Sequence, residues 1–579
     1  MRASIAMGST RIVGAVLLPV SLLAGAFVTR GDTAVRRPPD CDALAAHDLS
    51  AGSWLGDLGA GERQCLLLSM ARGEFARLSI GADSGMFQAL VLPPGDTIPL
   101  LRIQVWGGEE NRQALAWEAA EPGSYRVLLQ AEVGGWEPEA KGVEVALEEH
   151  LSARRRQVER QQLAADSRVR WLADNAIAVR SISPTDTEFS DLEPLRDVLA
   201  GVRVVLLGEA HHGDGSDFLA KGRLIRFLHE EMGFDVLAFE ASLYGVAKAW
   251  QAVKSGEPPR EALLLGLSRL WVESEQVQPL IAYVAASAHT ENPLELAGFD
   301  PQFTGSAAEE TLVSELRQFL GANGLTDLRV ELEGGNGELL QAVLESRFYS
   351  DPASLPDSIG QLDFIRFLRE MAREIEAAVD SREAKLWSQV LRSTALQARV
   401  LFDAAAGRGY DDSRDRQMAE NLVWQADEYF PGRKIIVWAH TGHVMRKPTM
   451  LERDVWADYL MGDGVWEALG EESYVVGFSS YDGSYRWITS PSLPTWDIVP
   501  DQHPATEFEE LMVAAGHELA IVDLRGARKS GAWPGGSFLA RPLLYSWTSR
   551  WSEYLDAIFF IRTQEPSRLV GSAQRQDPF

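Results

Sequence analysis

Four histidines and three carboxylates in this chain sit just past the ends of short apolar runs. Glu209, His211 and His212 follow residues 202–207, Glu240 follows 235–239, Asp300 follows 295–299, and His440 and His443 follow 434–438. An imidazole titrates near neutrality, so it can take a proton from water at working pH. A carboxylate beside it fixes its tautomer or holds the water, and a cation or second imidazole stabilises an oxyanion. Of ten histidines in the chain, four lie in these two tight clusters. The chain holds no G-x-S-x-G, and Gly477-Phe-Ser-Ser-Tyr-Asp-Gly misses that spacing, so water activated directly is favoured over an acyl-enzyme. Blander roles stand beside these: His440 and His443 can bond loop backbone, and Asp300 can orient a strand end. His229 lacks the second histidine of a zinc-protease helix, and Gly213-Asp-Gly-Ser is too short for a dinucleotide fingerprint.

The elements that must position these groups follow from periodicity. Residues 202–207 and 235–239 are apolar runs, but for Arg203 and the leading Asp235, flanking a helical stretch, 217–232, with Ser216 as the expected N-cap and Gly233 as the stop. Strand, helix and strand in so short a span form a βαβ unit, hence a parallel sheet covered on both faces. Ligands of open parallel sheets bind beyond the carboxyl ends of the strands, where these residues fall. Further strands are expected at 295–299, 434–438, 474–479, 519–522 and 557–561. Residues 305–428 show only long helical patterns, such as 365–379 and 383–404, and read as a helical insertion able to wall a cleft. Residues 48–148 differ: seven short runs (64–70, 76–80, 87–92, 103–106, 115–118, 124–130 and 142–147) are split by Gly- and Pro-rich turns, the pattern of a β-sandwich. The expected fold is thus α/β, a mostly parallel sheet with flanking helices and a large helical insertion, preceded by a small all-β sandwich. The segments are 1–30, 31–47 (linker), 48–148 (sandwich), 149–166 (helical linker) and 167–579.

Composition narrows the partners. The formal charge is −28, from 83 acidic and 55 basic residues, which repels phosphate backbones and argues against nucleic acid. The basic run Arg154-Arg155-Arg156 reads as a solvated face of the linker helix. Arg2 and Arg11 flank a polar start, and the apolar stretch 12–28 that follows holds Ala24-Gly25-Ala26, the layout of a cleaved export signal. A periplasmic or secreted protein is expected, membrane-bound only if that segment stays uncleaved. Cys41 and Cys65 are the only cysteines. In an oxidising compartment they can close one disulfide, worth about 3 kcal/mol, and two cysteines far from the histidines rule out a thiolate zinc cluster.

Four ordered blocks carry a resemblance. VVLLGEAHHGDGSDFLAKGRLIRFLHEEMGFDVLAFEAS at 204–242, LELAGFDP at 294–301, RDRQMAENLVW at 414–424 and IIVWAHTGHV at 435–444 resemble the blocks of the erythromycin esterase family, from about residue 170 to 563. Glu121-Pro-Gly-Ser-Tyr-Arg-Val-Leu-Leu resembles the prepeptidase C-terminal type of accessory sandwich. The first resemblance implies ester hydrolysis, lactones included, by water attack without a required cofactor. It implies His212 as general base, with His211 a spacer, Glu209 as the essential acid of that loop, and Glu240, His440 and His443 as further catalytic groups. An arginine nine residues past the base is replaced here by Lys221, which supplies a point charge without the guanidinium fork; Arg223 would lie on the other helix face. Asp300 and His211 are expected at the substrate. Antibiotic inactivation is one activity in this class. An export signal and an added sandwich point instead to another extracellular ester, with a carbohydrate or surface ligand for the sandwich. Two alternatives stay open: a metal-dependent hydrolase or peptidase using the same Glu/His cluster, and a non-catalytic haem- or metal-binding protein.

Overall fold

A computed structural model describes residues 46–96, 99–108, 112–131, 139–408, 412–446, 459–486, 496–498, 508–543 and 547–571. The expected export signal and Cys41 lie outside these residues, while Cys65 is fully buried.

Residues 46–151 form two facing sheets of five and four strands. Alternation along each strand puts one face inward: Arg63–Met70, for example, buries Cys65, Leu66, Leu68 and Met70. All seven expected strands are present, joined by Ala46–Asp48 and Trp54–Leu58, too short to show a period. Helix α1, Ala153–Ala164, then leads into the larger unit. Arg154 and Arg155 are exposed as expected, but Arg156 is buried. Its guanidinium lies 4.5 Å over the Phe75 ring and 3.8 Å from Glu510 Oε1. The linker helix is therefore a packed joint between the two units rather than a wholly solvated one. A second joint forms where the strand Trp496–Ile498 lies against Leu101–Trp106 of the sandwich.

The large sheet comprises β1 (Ile177–Ala178), β2 (Val204–Glu209), β3 (Phe234–Ser242), β4 (Glu295–Asp300), β5 (Lys434–His440), β6 (Ser473–Tyr485), β7 (Trp496–Ile498), β8 (Leu519–Asp523) and β9 (Ala557–Gln564). Their order is β1-β8-β9-β6-β2-β5-β3-β4, with β7 paired to β6. Contacts among β9, β6, β2, β5, β3 and β4 are parallel; β1, β7 and β8 pair antiparallel. Every residue of β2 is buried, which is why it reads as one apolar run. β2 and β3 reach further than expected, so Glu209 and Glu240 stand on strand ends rather than in loops. β5, arriving after the helical insertion, slots between β2 and β3, and its ladder sets His440 opposite Glu209.

Helix α2, Gly215–Met232, crosses from β2 to β3 and stops at Gly233, which takes a left-handed φ of 71°. It begins behind Asp214 rather than Ser216, whose hydroxyl instead accepts the Glu565 N–H. Between β4 and β5 the described chain holds helices without strands. Helices α3 (Ser358–Ala378) and α4 (Arg382–Ala405) enclose their own core of Phe364, Leu368, Met371, Trp387 and Leu391. The insertion returns along α5, Ser413–Trp424. Asn421 and Gln425 donate to the Phe299 and Gly298 carbonyls of β4 at 2.8 and 2.5 Å, which sets the first residues of α5 at the strand ends.

Candidate active site

Glu209 ends β2 with no exposed surface, and its two carboxylate oxygens face different partners. Oε1 lies 3.1 Å from His212 Nδ1, and Oε2 accepts from the Lys221 ammonium. A carboxylate on Nδ1 makes that nitrogen the protonated one and leaves Nε2 as the basic lone pair. No other described polar group bonds the His212 ring. With 20 % of its side chain exposed it is the most open of the four site histidines, and the Trp271 ring stands edge-on 6.0 Å away. Burial lowers the His212 pKa, opposed by Glu240 and reinforced by the charges of His443 and Arg414.

Lys221 is fully buried. Its ammonium also donates to the Ala439 carbonyl at 3.0 Å and sits 4.6 Å over the Trp438 ring. Burial drives its pKa well down, with Glu240 opposing. Lys221, expected as a catalytic group, lies behind Glu209 as its buried counterion. Arg223 faces away, paired to Asp191 at 2.7 Å.

Glu240, at the end of β3, sits in a second network. Its Oε2 accepts the His440 N–H at 2.9 Å, and Oε1 takes Arg414 Nη2 at 3.1 Å with His443 Nε2 at 3.5 Å. Burial alone would raise its pKa, but His443, His212, Arg414 and that amide hold it well below the carboxylate range. Arg414 grips Asp300 through two nitrogens at 3.0 and 2.6 Å, and its Nη1 lies 3.4 Å from His443 Nε2. His443 Nδ1 is 2.8 Å from Asp415 Oδ1. Burial pulls the His443 pKa down, yet Asp415 and Glu240 outweigh it and raise it overall. Arg414 and Asp415 were absent from the sequence-based site, although both open the block at 414–424. Their place at the first turn of a helix returning to the sheet was the available signal.

His440 takes the blander of its two roles. Nδ1 accepts the Gly442 N–H at 3.0 Å and Nε2 donates to the Ala210 carbonyl at 2.9 Å. Both nitrogens are committed to backbone, so the ring pins the β2 loop and is neither a base nor a free ligand. Burial holds its pKa well down, in keeping with a neutral ring. His211 and Asp300, expected at the substrate, are also turned inward. His211 stacks on Tyr485 at 4.2 Å and meets Asp214 at 3.1 Å, and Asp300 spends both oxygens on Arg414 and the Gln302 N–H. Among the described residues no three His, Cys, Asp or Glu side chains are grouped to hold a metal ion. Of the five residues in the metal-dependent alternative (Glu209, His212, Glu240, His440 and His443), His440 has both ring nitrogens on backbone groups.

Residues 229–563, more than half of the chain, match the family model for erythromycin esterase. The chain belongs to the erythromycin esterase family. A Bacillus subtilis (strain 168) protein named "Putative hydrolase YbfO" is 26% identical over 372 residues, 61% of this chain and 80% of that protein. The "Erythromycin esterase type II" of Escherichia coli is 24% identical over 330 residues, 54% of this chain and 77% of its own. Among solved structures, a succinoglycan biosynthesis protein shares the fold at a TM-score of 0.56 and 19% identity, covering 69% of this chain and 97% of that one. A mutant of the erythromycin esterase EreC in its open conformation does so at 0.50 and 18%, covering 67% and 97%.

In this member of the erythromycin esterase family the matched region starts past Glu209, His212 and Lys221, so their assembly rests on geometry. That geometry is held from the C-terminal side by residues 564–570, beyond the match. Gln564 Nε2 donates to Asp217 Oδ1 at 3.0 Å, and the Ser567 N–H donates to the Gly213 carbonyl at 2.8 Å. The same strap bonds the segment after Trp271: the Glu275 N–H donates to the Arg568 carbonyl at 2.7 Å, and the Val570 N–H to the Glu273 carbonyl at 2.9 Å. It therefore ties the loop of His212 to the segment of Trp271. Ser567→Pro deletes the N–H beside His212 and should lower kcat about 10- to 100-fold through misplacement of the base. Ser567→Ala keeps that N–H and loses the buried hydroxyl's 2.7 Å bond to Ser274 Oγ, so its kcat should fall far less. Steady-state kinetics of the two variants on one small ester checks this.

Proposed function

We propose that the protein is a hydrolase of carboxylic esters in which His212 is the general base for an attacking water. The observation that carries the reading is the Glu209–His212 pair: a buried carboxylate on Nδ1 and a partly exposed ring whose Nε2 is unbonded among the described residues. His212 Nε2 takes a proton as the water oxygen bonds the carbonyl carbon, and returns it to the alkoxide as the ester C–O bond breaks. Family membership points to hydrolysis. Esters are the finer reading, supported by the E. coli relative's name; the lack of a nucleophile elbow favours direct attack by water over an acyl-enzyme. A macrolide lactone, which that relative's name suggests for that protein, is one ester among those to screen. We also propose export through residues 1–30, with cleavage near Ala26 and a Cys41–Cys65 disulfide; mass spectrometry of the exported chain tests all three.

A panel of small esters and amides, assayed with and without chelator, tests the chemistry. Turnover of esters unaffected by chelator is expected; loss of activity restored by added metal would favour the metal-dependent alternative. The pH profile adds a second reading. A base must be deprotonated to work, and His212 is held below its ordinary 6.5. The acid limb of kcat/KM should therefore lie below pH 6.5, with activity already on its plateau at neutrality. A limb centred well above pH 7 would point to another base.

A further inference from the structure

The cations of this site are already spoken for, and that bears on the charge of what it accepts. Lys221 and Glu209 neutralise one another out of contact with solvent. Around the second network stand three carboxylates, Glu240, Asp300 and Asp415, against two cationic groups at most, Arg414 and His443. The balance is −1 if His443 is protonated and more negative if it is neutral. Three of the five Arg414 N–H groups go to the Asp300 and Glu240 carboxylates, and a fourth, on Nη1, points at His443 Nε2 from 3.4 Å, which accepts it while that ring is neutral. One N–H on Nη1 is left, enough for an oxygen that gains charge on the reacting carbonyl, but not for a separate formal anion. Asp214, buried one residue past Gly213, adds a further carboxylate whose only described partner is His211. A chain of formal charge −28 works in the same direction at longer range.

We propose, resting on the hydrolase reading above, that the site selects uncharged or cationic esters and discriminates against substrates with an anionic group near the scissile bond. Phosphoesters and acid half-esters are in the rejected class. Rejection arises because a substrate anion would leave water for a place where the described residues offer no unpaired cation and carry a net negative charge. At the spacing of neighbouring side chains, one like charge in a protein environment is worth on the order of 10- to 100-fold in kcat/KM.

The test uses the full chain and three 4-nitrophenyl esters of matched acyl length, ending in a methyl, a trimethylammonio or a carboxylate group, with rates normalised to hydroxide hydrolysis. The methyl and trimethylammonio esters should exceed the carboxylate ester at least tenfold in kcat/KM, and 4-nitrophenyl phosphate should not turn over. Asp300→Asn removes one negative charge from the network and should raise the carboxylate-to-methyl ratio several-fold. That ratio is independent of how much of the variant folds. Equal or faster turnover of the carboxylate ester overturns the proposal while leaving the hydrolase reading intact. If wild type turns over no ester, the hydrolase reading fails by itself. The matched non-hydrolysable amides, titrated by calorimetry, then decide the charge preference: weakest binding by the carboxylate amide upholds it, and tightest binding by that amide overturns it.

Discussion

His212→Ala is expected to lower kcat by about 10²- to 10⁴-fold with little change in KM or thermal midpoint. The ring makes one polar contact, to Glu209, and keeps a fifth of its side chain in solvent, so its removal leaves no unpaired donor in the core. Glu209 keeps Lys221 as its counterion, which limits the structural cost. Glu209→Gln should also lose most activity, since the amide no longer dictates which His212 nitrogen is basic. It additionally strands the buried Lys221 charge, so its thermal midpoint should fall where that of His212→Ala holds. Circular-dichroism melts beside initial rates separate the two effects. Near-normal turnover by His212→Ala would remove it as the base. His211→Ala is a control of a different kind: its ring stacks on Tyr485 and bonds Asp214, so stability should suffer more than kcat.

Much of this site was legible because β-strand burial and parallel-sheet topology act through local sequence. Runs such as 204–207 have no polar alternative to burial, and whatever follows them in a parallel sheet emerges on one rim. That logic placed Glu209, Glu240, Asp300, His440 and His443 together before any coordinates. It could not assign roles among them, because a histidine on a rim bonds water, carboxylate or backbone with equal chemical ease. His440 went to backbone since β5 sets it beside the Ala210 carbonyl, a consequence of sheet order that no local pattern encodes. Lys221 was misread for a related reason. The family resemblance alone marked it, nine residues past His212, and only the depth of α2 against Trp438 shows that its ammonium meets Glu209. Arg414 arrives from the far end of an insertion of more than a hundred residues, and nothing local in 414–424 says which strand ends α5 will cross. The helix start was missed by the smallest margin: Ser216 has the chemistry of an N-cap, but residues 564–567, remote in sequence, claim its hydroxyl.

Arg414→Gln should be the most destabilising of the substitutions considered, about 3–5 kcal/mol at neutral pH, and should abolish activity. Breaking a buried ion pair by removing one partner leaves the other charge uncompensated, and here one guanidinium serves Asp300 and Glu240 together while touching His443. The pH dependence separates charge from packing. In the wild type the Glu240 carboxyl is held well below its ordinary value of 4.5. A depressed carboxylate contributes stability that is present above its unfolded pKa and lost as pH falls through the folded one. Without Arg414 the Glu240 carboxyl loses one of the charges that hold its pKa down, leaving His443 and His212, so that pKa rises and the variant gains stability relative to wild type as the carboxyl protonates. The gap in thermal midpoint should therefore be widest near pH 7.5 and should narrow toward pH 4.5. A gap of equal size at both pH values would mean that Arg414 matters through the space it fills, and its role as the charge linking the helical insertion to the strand ends would be lost.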